Sequence, residues 1–301
     1  MTALRPFMQR TAENLLDGLA PMAASGEAVD LQHRYAHQLP SLVISELLGV
    51  PPADRDHLTA LADAVTPLLG VQVDRAERER AIEAAEQMHR HLGALLDQRQ
   101  REPADDLLSA LLAAEQDGER LQRVELLSLA ATLYSAGHRT TRDLTANGLS
   151  VLLGRDDLRA ELAAGTLPLS AVVSEMLRFE TPTLYVARVP SAPFTVAGAE
   201  VGPGDPLLVY LGSANRDGAT YERPDEFDPH RWTIEPLPPT PLSFAFGAHY
   251  CLGASLARHE AEVMVGHLLD RYPEVRIAGD ELAWRQRGPF RSLDGLPVHL
   301  G

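Results

Sequence analysis

The ten residues Phe244-Ala245-Phe246-Gly247-Ala248-His249-Tyr250-Cys251-Leu252-Gly253 hold the single cysteine of this 301-residue chain. The residues after them, Ala254 to Val263, read as an amphipathic helix, so Cys251 lies at or just before a helix N-terminus. Unpaired backbone N–H groups and the positive end of the helix dipole collect there, and both favour a thiolate, which is a metal ligand. Gly247 and Gly253 can adopt conformations that a Cβ resists, letting main chain pass close to the sulfur or to a flat ligand. A lone cysteine is commonly a small buried hydrophobe. Its neighbours argue for a ligand here.

Two further groups could do chemistry. Ala136-Gly137-His138-Arg139-Thr140-Thr141 places a glycine inside a helical run, where it costs about 1 kcal/mol against Ala. Thr140 can bond back to the carbonyl of Ala136 and open a groove against a flat ligand; a Gly/Thr kink in a core helix explains the hexapeptide equally well. Glu175 and Arg178 stand three apart on a helix. Taken alone they are a solvated pair worth roughly 0.2–0.5 kcal/mol, like Glu77 and Arg80.

The elements that must hold these residues are mostly helical. Expected helices run over Thr2–Leu19, Tyr35–Leu48, Asp54–Leu69, Arg75–Arg101, Asp105–Ala114, Leu121–Leu153 and Ser170–Phe179, with Gly49-Val50-Pro51-Pro52 and Gly118 as breaks. Leu126 to Gly137 carries no charge and is expected to be buried on all sides, a central helix. After Pro182 come short β-rich stretches, Leu184–Val189, Phe194–Val196 and Pro206–Leu211, read as strands of one small sheet. Asp217–Pro241, which contains Arg231, is Pro- and Asp-rich and irregular. No repeat or linker divides residues 1–301, so one domain is expected.

Composition bounds the function. At 45% hydrophobic the chain can bury a large core. One cysteine suits a reducing, cytoplasmic setting. No apolar signal run follows Met1–Arg10, and no run approaches the roughly 20 apolar residues of a membrane helix. A net charge of −15 argues against nucleic acid and anionic lipid as partners. The 27 basic residues are all Arg, so no lysine Schiff base can form. There is no Gly-x-Ser-x-Gly elbow, His-Glu-x-x-His or phosphate-binding Gly-rich loop.

Taken in order, these pieces resemble a bacterial cytochrome P450, the haem-thiolate monooxygenase family. Phe244-x-x-Gly247-x-x-x-Cys251-x-Gly253 matches the family's haem-binding signature. Glu175-x-x-Arg178 followed by Arg231 matches its structural triad, and Ala136–Thr141 falls where its oxygen-binding helix belongs. The resemblance implies a mainly α fold with small β-sheets, haem b as cofactor, O2 as co-substrate, a small-molecule substrate and a ferredoxin-type electron donor. It makes Cys251 the proximal thiolate ligand, with Phe244 shielding the sulfur. Gly247 and Gly253 let backbone approach, and His249 and Arg188 bind the propionates. Ala136, Gly137 and Thr140 face the oxygen, Thr140 serving its proton relay. Glu175, Arg178 and Arg231 lock helix to meander.

Two departures from the family pattern follow. Arg139 stands where the family usually has an acid before the threonine, which leaves the acid–alcohol pair incomplete; if Arg139 faces the haem pocket it can bind a substrate carboxylate. The family's peroxide-using branch has Arg there followed by Pro, whereas this chain keeps Thr140, so a peroxygenase is a further alternative. Second, the chain matches the family only after its N-terminal segment of strands, substrate-covering loops and further propionate ligands. The expectation is an exposed edge near Leu184–Leu211 and weakened haem affinity. A P450-like helper scaffold and an incomplete gene product are the other readings.

Overall fold

The computed structural model describes residues 4–70, 73–116 and 119–301; the breaks expected at Gly118 and the start of the first helix at Thr2 lie outside them. The helices are α1 Arg5–Asp17, α2 Ala20–Ser25, α3 Gln38–Leu47, α4 Arg55–Val65 and α5 Arg75–Arg101. They continue with α6 Leu107–Ala113, α7 Arg123–Leu152, α8 Asp156–Ala164, α9 Leu169–Phe179, α10 Leu211–Ala214 and α11 Ala254–Arg271. Ends fall where cap chemistry puts them. Asp74 accepts the Glu77 N–H at 2.8 Å to start α5, and the Glu125 carboxylate accepts the Gln122 N–H at 2.7 Å to start α7. A π-helical turn at Gln32–Ala36 precedes α3, so the helix expected from Tyr35 begins later.

The strands are short. They run β1 Val29–Asp30, β2 Glu115–Gln116, β3 Glu119–Arg120, β4 Tyr185–Arg188, β5 Phe194–Val196, β6 Ala199–Val201, β7 Leu207–Tyr210, β8 Arg276–Ile277, β9 Trp284–Arg287, β10 Phe290–Leu293 and β11 Pro297–His299. The small sheet expected after Pro182 is two separate antiparallel pairs. β4 pairs with β7, Tyr185 opposite Tyr210, and β5 with β6, Phe194 opposite Val201. Val189, Leu208, Val209 and Tyr210 expose apolar surface along the first pair. β1 and β8 flank β11 in a three-stranded sheet.

Helix α7 joins two apolar cores. One, with Leu144, Leu149 and Leu152, packs on α1, α9 and α11; the other, with Leu126, Ala130 and Tyr134, packs on α4 and α5. The expected burial of Leu126–Gly137 on all sides is corrected. Leu126, Ala130 and Tyr134 are buried, but Ser128, Thr132 and Ala136 are exposed. Those three, with Ala131, Ser135 and Thr140, line a cavity, so that face lacks charge because it bounds apolar space and not because protein covers it. The stretch of α7 in which every residue is buried comes later, Asp143 to Leu149.

Candidate functional site

The Cys251 loop is shaped by its backbone. Ala245 adopts φ 58° and Gly247 φ 74°. The left-handed value suits Gly247 and is unusual for Ala245, a residue with a Cβ. The turn so made lets the Cys251 N–H donate to the Phe244 carbonyl at 3.0 Å, closing the loop. Helix α11 starts three residues on, with Gly253 as its N-cap. Gly253 itself has φ −84°, and a Cβ there would stand 3.9 Å from the Cys251 sulfur, an ordinary contact. No protein atom comes close to Gly253, and at Gly247 it is the left-handed φ, not a neighbouring atom, that calls for glycine.

Phe244 is buried, with the Arg258 guanidinium 5.2 Å from its ring centroid. Cys251 is exposed, yet the loop desolvates its sulfur and pushes the thiol above its ordinary value, only partly offset by the Gly253 N–H. The expectation that the helix start by itself favours thiolate is corrected. Coordination to a metal ion deprotonates such a thiol outright.

Opposite the loop stands α7. Ala136, Gly137, Thr140, Thr141 and Leu144 face Phe244, His249 and Cys251 across a cavity of about 200 Å³. A second cavity of about 550 Å³ shares Ala136 and Thr140 and extends over Val65, Met88, Ser135, Arg139 and Phe290. The Thr140 hydroxyl donates to the Ala136 carbonyl at 3.0 Å, as its spacing predicts, and α7 runs unbroken through it. Gly137 has a packing reason: a Cβ there would lie 2.8 Å from Cδ1 of Ile44 on α3.

Arg139 lies in the wall of the larger cavity, 6% exposed. Its guanidinium carbon is 5.5 Å from the Phe290 ring centroid. Its Nε is 3.7 Å from Asp143 Oδ2, too long for a hydrogen bond, and neither atom has a hydrogen-bond partner among the described residues. Burial lowers the Arg139 pKa and raises that of Asp143. Arg188 lies on β4 with Nη1 donating to the Ala187 carbonyl at 2.8 Å; it lines neither cavity.

The triad residues come together away from the cavities. Arg178 donates from Nε and Nη2 to the two oxygens of Glu175 at 2.9 and 2.7 Å, and Arg231 Nε donates to Oε1 at 3.2 Å. Glu175 and Arg178 are fully buried, so the pair is not the solvated one its spacing alone suggests. Sequence reasoning missed two partners, the Trp232 indole N–H at 2.9 Å and the Asp228 N–H at 2.8 Å. It also missed Glu260, buried on α11 in the wall of the smaller cavity. An acid inside the run Leu256, Ala257, Ala261, Met264 is the signal that could have found it.

A flat apolar cofactor with a soft metal fits this site. A sulfur donor and mostly apolar walls from two elements bound the smaller cavity, and beside the cysteine Phe246 and Leu252 are 80% and 85% exposed, side chains that a flat apolar group could cover. A lone thiol facing a helix across a largely apolar cavity is an arrangement that suits a haem-thiolate protein. The cytochrome P450 family model matches residues 2–277. Among the relatives, cytochrome P450 107B1 of Saccharopolyspora erythraea is 38% identical over 99% of this chain and 70% of its own length. The cytochrome P450 monooxygenase PikC of Streptomyces venezuelae is 38% identical over 98% of this chain and 68% of its own. Among solved structures, P450BioI in complex with a hexadec-9Z-enoic acid-ligated acyl carrier protein superposes with TM-score 0.91 at 32% identity, covering 100% of this chain and 75% of that one.

This chain belongs to the cytochrome P450 family. It is accordingly a monooxygenase that uses haem b and O2, and bacterial members of the family work with redox partner proteins on small organic substrates. Among the described residues no helix is long and apolar enough to cross a membrane.

Proposed function

We propose that this chain hydroxylates or epoxidises a small organic substrate seated in the 550 Å³ cavity, using a haem held between α7 and the Cys251 loop. The observation that carries the reading is that Cys251 and Thr140, from elements far apart in sequence, line one cavity. When bound, haem supplies the oxidation of a C–H or C=C bond by O2. The rest falls to this chain's side chains. Cys251 gives the iron its thiolate, and Phe244 and Gly247 fix the loop that presents the sulfur. His249, on the same cavity wall, donates to a propionate, as does Arg188 once its guanidinium leaves the Ala187 carbonyl. Ala136 and Gly137 give the α7 wall low relief, and Thr140 keeps its oxygen free to accept a hydrogen bond because its own O–H is held by the Ala136 carbonyl. Glu175, Arg178 and Arg231 hold α9 to the meander.

Arg139 supports an acidic substrate. A buried cation whose Nε is unpartnered, in the wall of a largely apolar cavity, suits a carboxylate at the end of an apolar body. Electrons come from a ferredoxin-type donor, and the setting is cytoplasmic. Arg139 in place of an acid also favours a second reading, a P450-like scaffold without turnover. The CO-treated, reduced spectrum of haem-reconstituted protein separates the two. A thiolate-type Soret band, lost in Cys251→Ala, supports the enzyme, and no haem binding leaves the scaffold.

A further inference from the structure

Charged side chains run in a row behind the wall of the larger cavity. Asp63 on α4 stands at the outer end, 35% exposed, in a polar recess of about 280 Å³ that it shares with His37 and Arg55. Arg142 Nη1 lies 4.0 Å from it. Arg142 Nε donates to Asp143 Oδ1 at 2.8 Å, and Asp143 Oδ2 stands 3.7 Å from Arg139 Nε. The signs alternate along the row and the charges cancel. Its inner end, Arg139, lines the cavity, whereas Asp143 has no exposed surface and lines neither cavity.

At that end the row is unfinished. Asp143 Oδ1 has a partner, but neither Oδ2 nor Arg139 Nε has one among the described residues. Asp143 and Arg139 hold each other by charge without a hydrogen bond. A substrate carboxylate reaches Arg139 from the cavity side, and the guanidinium then carries an anion on each flank. Two carboxylates so placed repel, which favours a proton on one of them. Asp143 is the one sealed from water, where an uncompensated anion is costly. Oδ2 can take that proton without disturbing the Arg142 bond to Oδ1, and burial already pushes Asp143 above its ordinary value.

We propose that Asp143 is the specificity-determining counter-ion of Arg139: it holds the cation in the empty site and yields it to a substrate carboxylate, taking up one proton at Oδ2. Acidic substrates therefore bind together with a proton and neutral ones without. The inference rests on the acidic-substrate reading of Arg139. An O–H bond forms at Oδ2, the solvent loses the proton, and no electrons move. Asp143 acts through Arg139 and is a positioning residue. Arg142 and Arg139 on its own helix and Asp63 on α4 act on it. His37 and His138 act on Asp63, and Arg287 on β9 acts on Arg139. Burial lowers His37 to about 4 and keeps it neutral. On other elements packed against α7, Arg178 of α9 and Arg291 of β10 are paired with Glu175 and Glu180, and Glu260 of α11 acts with Thr141.

The test titrates the haem-loaded protein with a medium-chain fatty acid and with its methyl ester by calorimetry, in buffers of different ionisation enthalpy. At pH 7 to 9 the acid is expected to bind with uptake of up to about one proton, its affinity falling by up to about tenfold per pH unit. The ester is expected to bind with no uptake and no pH dependence. Asp143→Asn keeps an acceptor for Arg142 and removes the anion. It is expected to abolish the uptake and to raise the acid-to-ester affinity ratio about tenfold at pH 8. Uptake that persists in Asp143→Asn belongs to another group and refutes the proposal. An acid whose binding is lost in Arg139→Gln, yet takes up no proton and keeps its affinity from pH 7 to 9, overturns the proposal and leaves the acidic-substrate reading standing. An acid that binds no tighter than its ester, in wild type and Arg139→Gln alike, overturns that reading and the proposal with it. If Asp143→Asn does not fold, the wild-type proton count and pH profile decide.

Discussion

Glu175 has no exposed surface, yet its two oxygens accept hydrogen bonds from Arg178, Arg231, Trp232 and the Asp228 N–H. That set of partners satisfies a carboxylate that has no contact with water. Arg178→Leu strands it, and we expect a loss of about 3–5 kcal/mol, the usual cost of removing one partner of a buried pair, measured by equilibrium urea unfolding. Glu260 is the opposite case, a buried acid with nothing to compensate ionisation. Its folded value of about 8 lies above the unfolded value near 4.5. Its contribution is therefore undiminished below the unfolded value, and stability is lost as pH rises through the folded one. Between them, wild-type stability should fall relative to Glu260→Gln by on the order of 1 kcal/mol per pH unit; parallel unfolding profiles from pH 5 to 8 would sink this assignment. The two acids also show what single residues disclose in sequence. Glu175 and Arg178 have the spacing of an ordinary surface pair, and only the distant Arg231 marks them as buried. Cys251 is legible because its glycine-flanked loop is local, while the cost of ionising its sulfur depends on packing that no spacing records.

At the level of elements, caps and charge patterns were the readable part. Arg75–Arg101 begins and ends where Asp74 and the terminal arginines place it. The face of α7 was not readable, because an uncharged stretch is equally suited to a packed interior and to the wall of an apolar cavity. Gly137 belongs to the same helix and answers a question its sequence left even. A methyl there would overlap Ile44 on α3, so the glycine serves a close helix contact and no kink. Gly137→Ala gains about 1 kcal/mol of helix propensity, but a 2.8 Å contact with a β-branched side chain costs about 1–3 kcal/mol through overpacking. We expect net destabilisation that Ile44→Ala relieves, giving a coupling energy in a double-mutant cycle. Additive effects of the two substitutions would show that the helices do not meet there.

For the whole molecule, the two cores on either side of α7 account for the helices, but the space between α7 and the Cys251 loop depends on residues more than 100 positions apart, which no periodicity links. Apolar side chains of α7, the Cys251 loop and β4, Leu144, Phe244 and Val186 among them, line that opening, and further apolar surface is exposed on the loop and on the strands. Phe246, Tyr250 and Leu252 are half or more exposed on the loop, and Val189, Leu208, Val209 and Tyr210 on the neighbouring β4–β7 pair. Surface of this kind is unfavourable in water, and a ligand that covers part of it stabilises the fold by its binding free energy. Haem is therefore expected to raise the melting temperature by an amount that grows with its concentration, equivalent to about 2.7 kcal/mol at a hundredfold excess over the dissociation constant. Cys251→Ala keeps the apolar contacts and loses the iron–sulfur bond, so its shift should be smaller but not absent. Titrating haem into both proteins while recording thermal unfolding separates the two contributions. Equal shifts would assign the affinity to the apolar walls, and no shift in either would mean that the opening between α7 and the Cys251 loop does not bind haem.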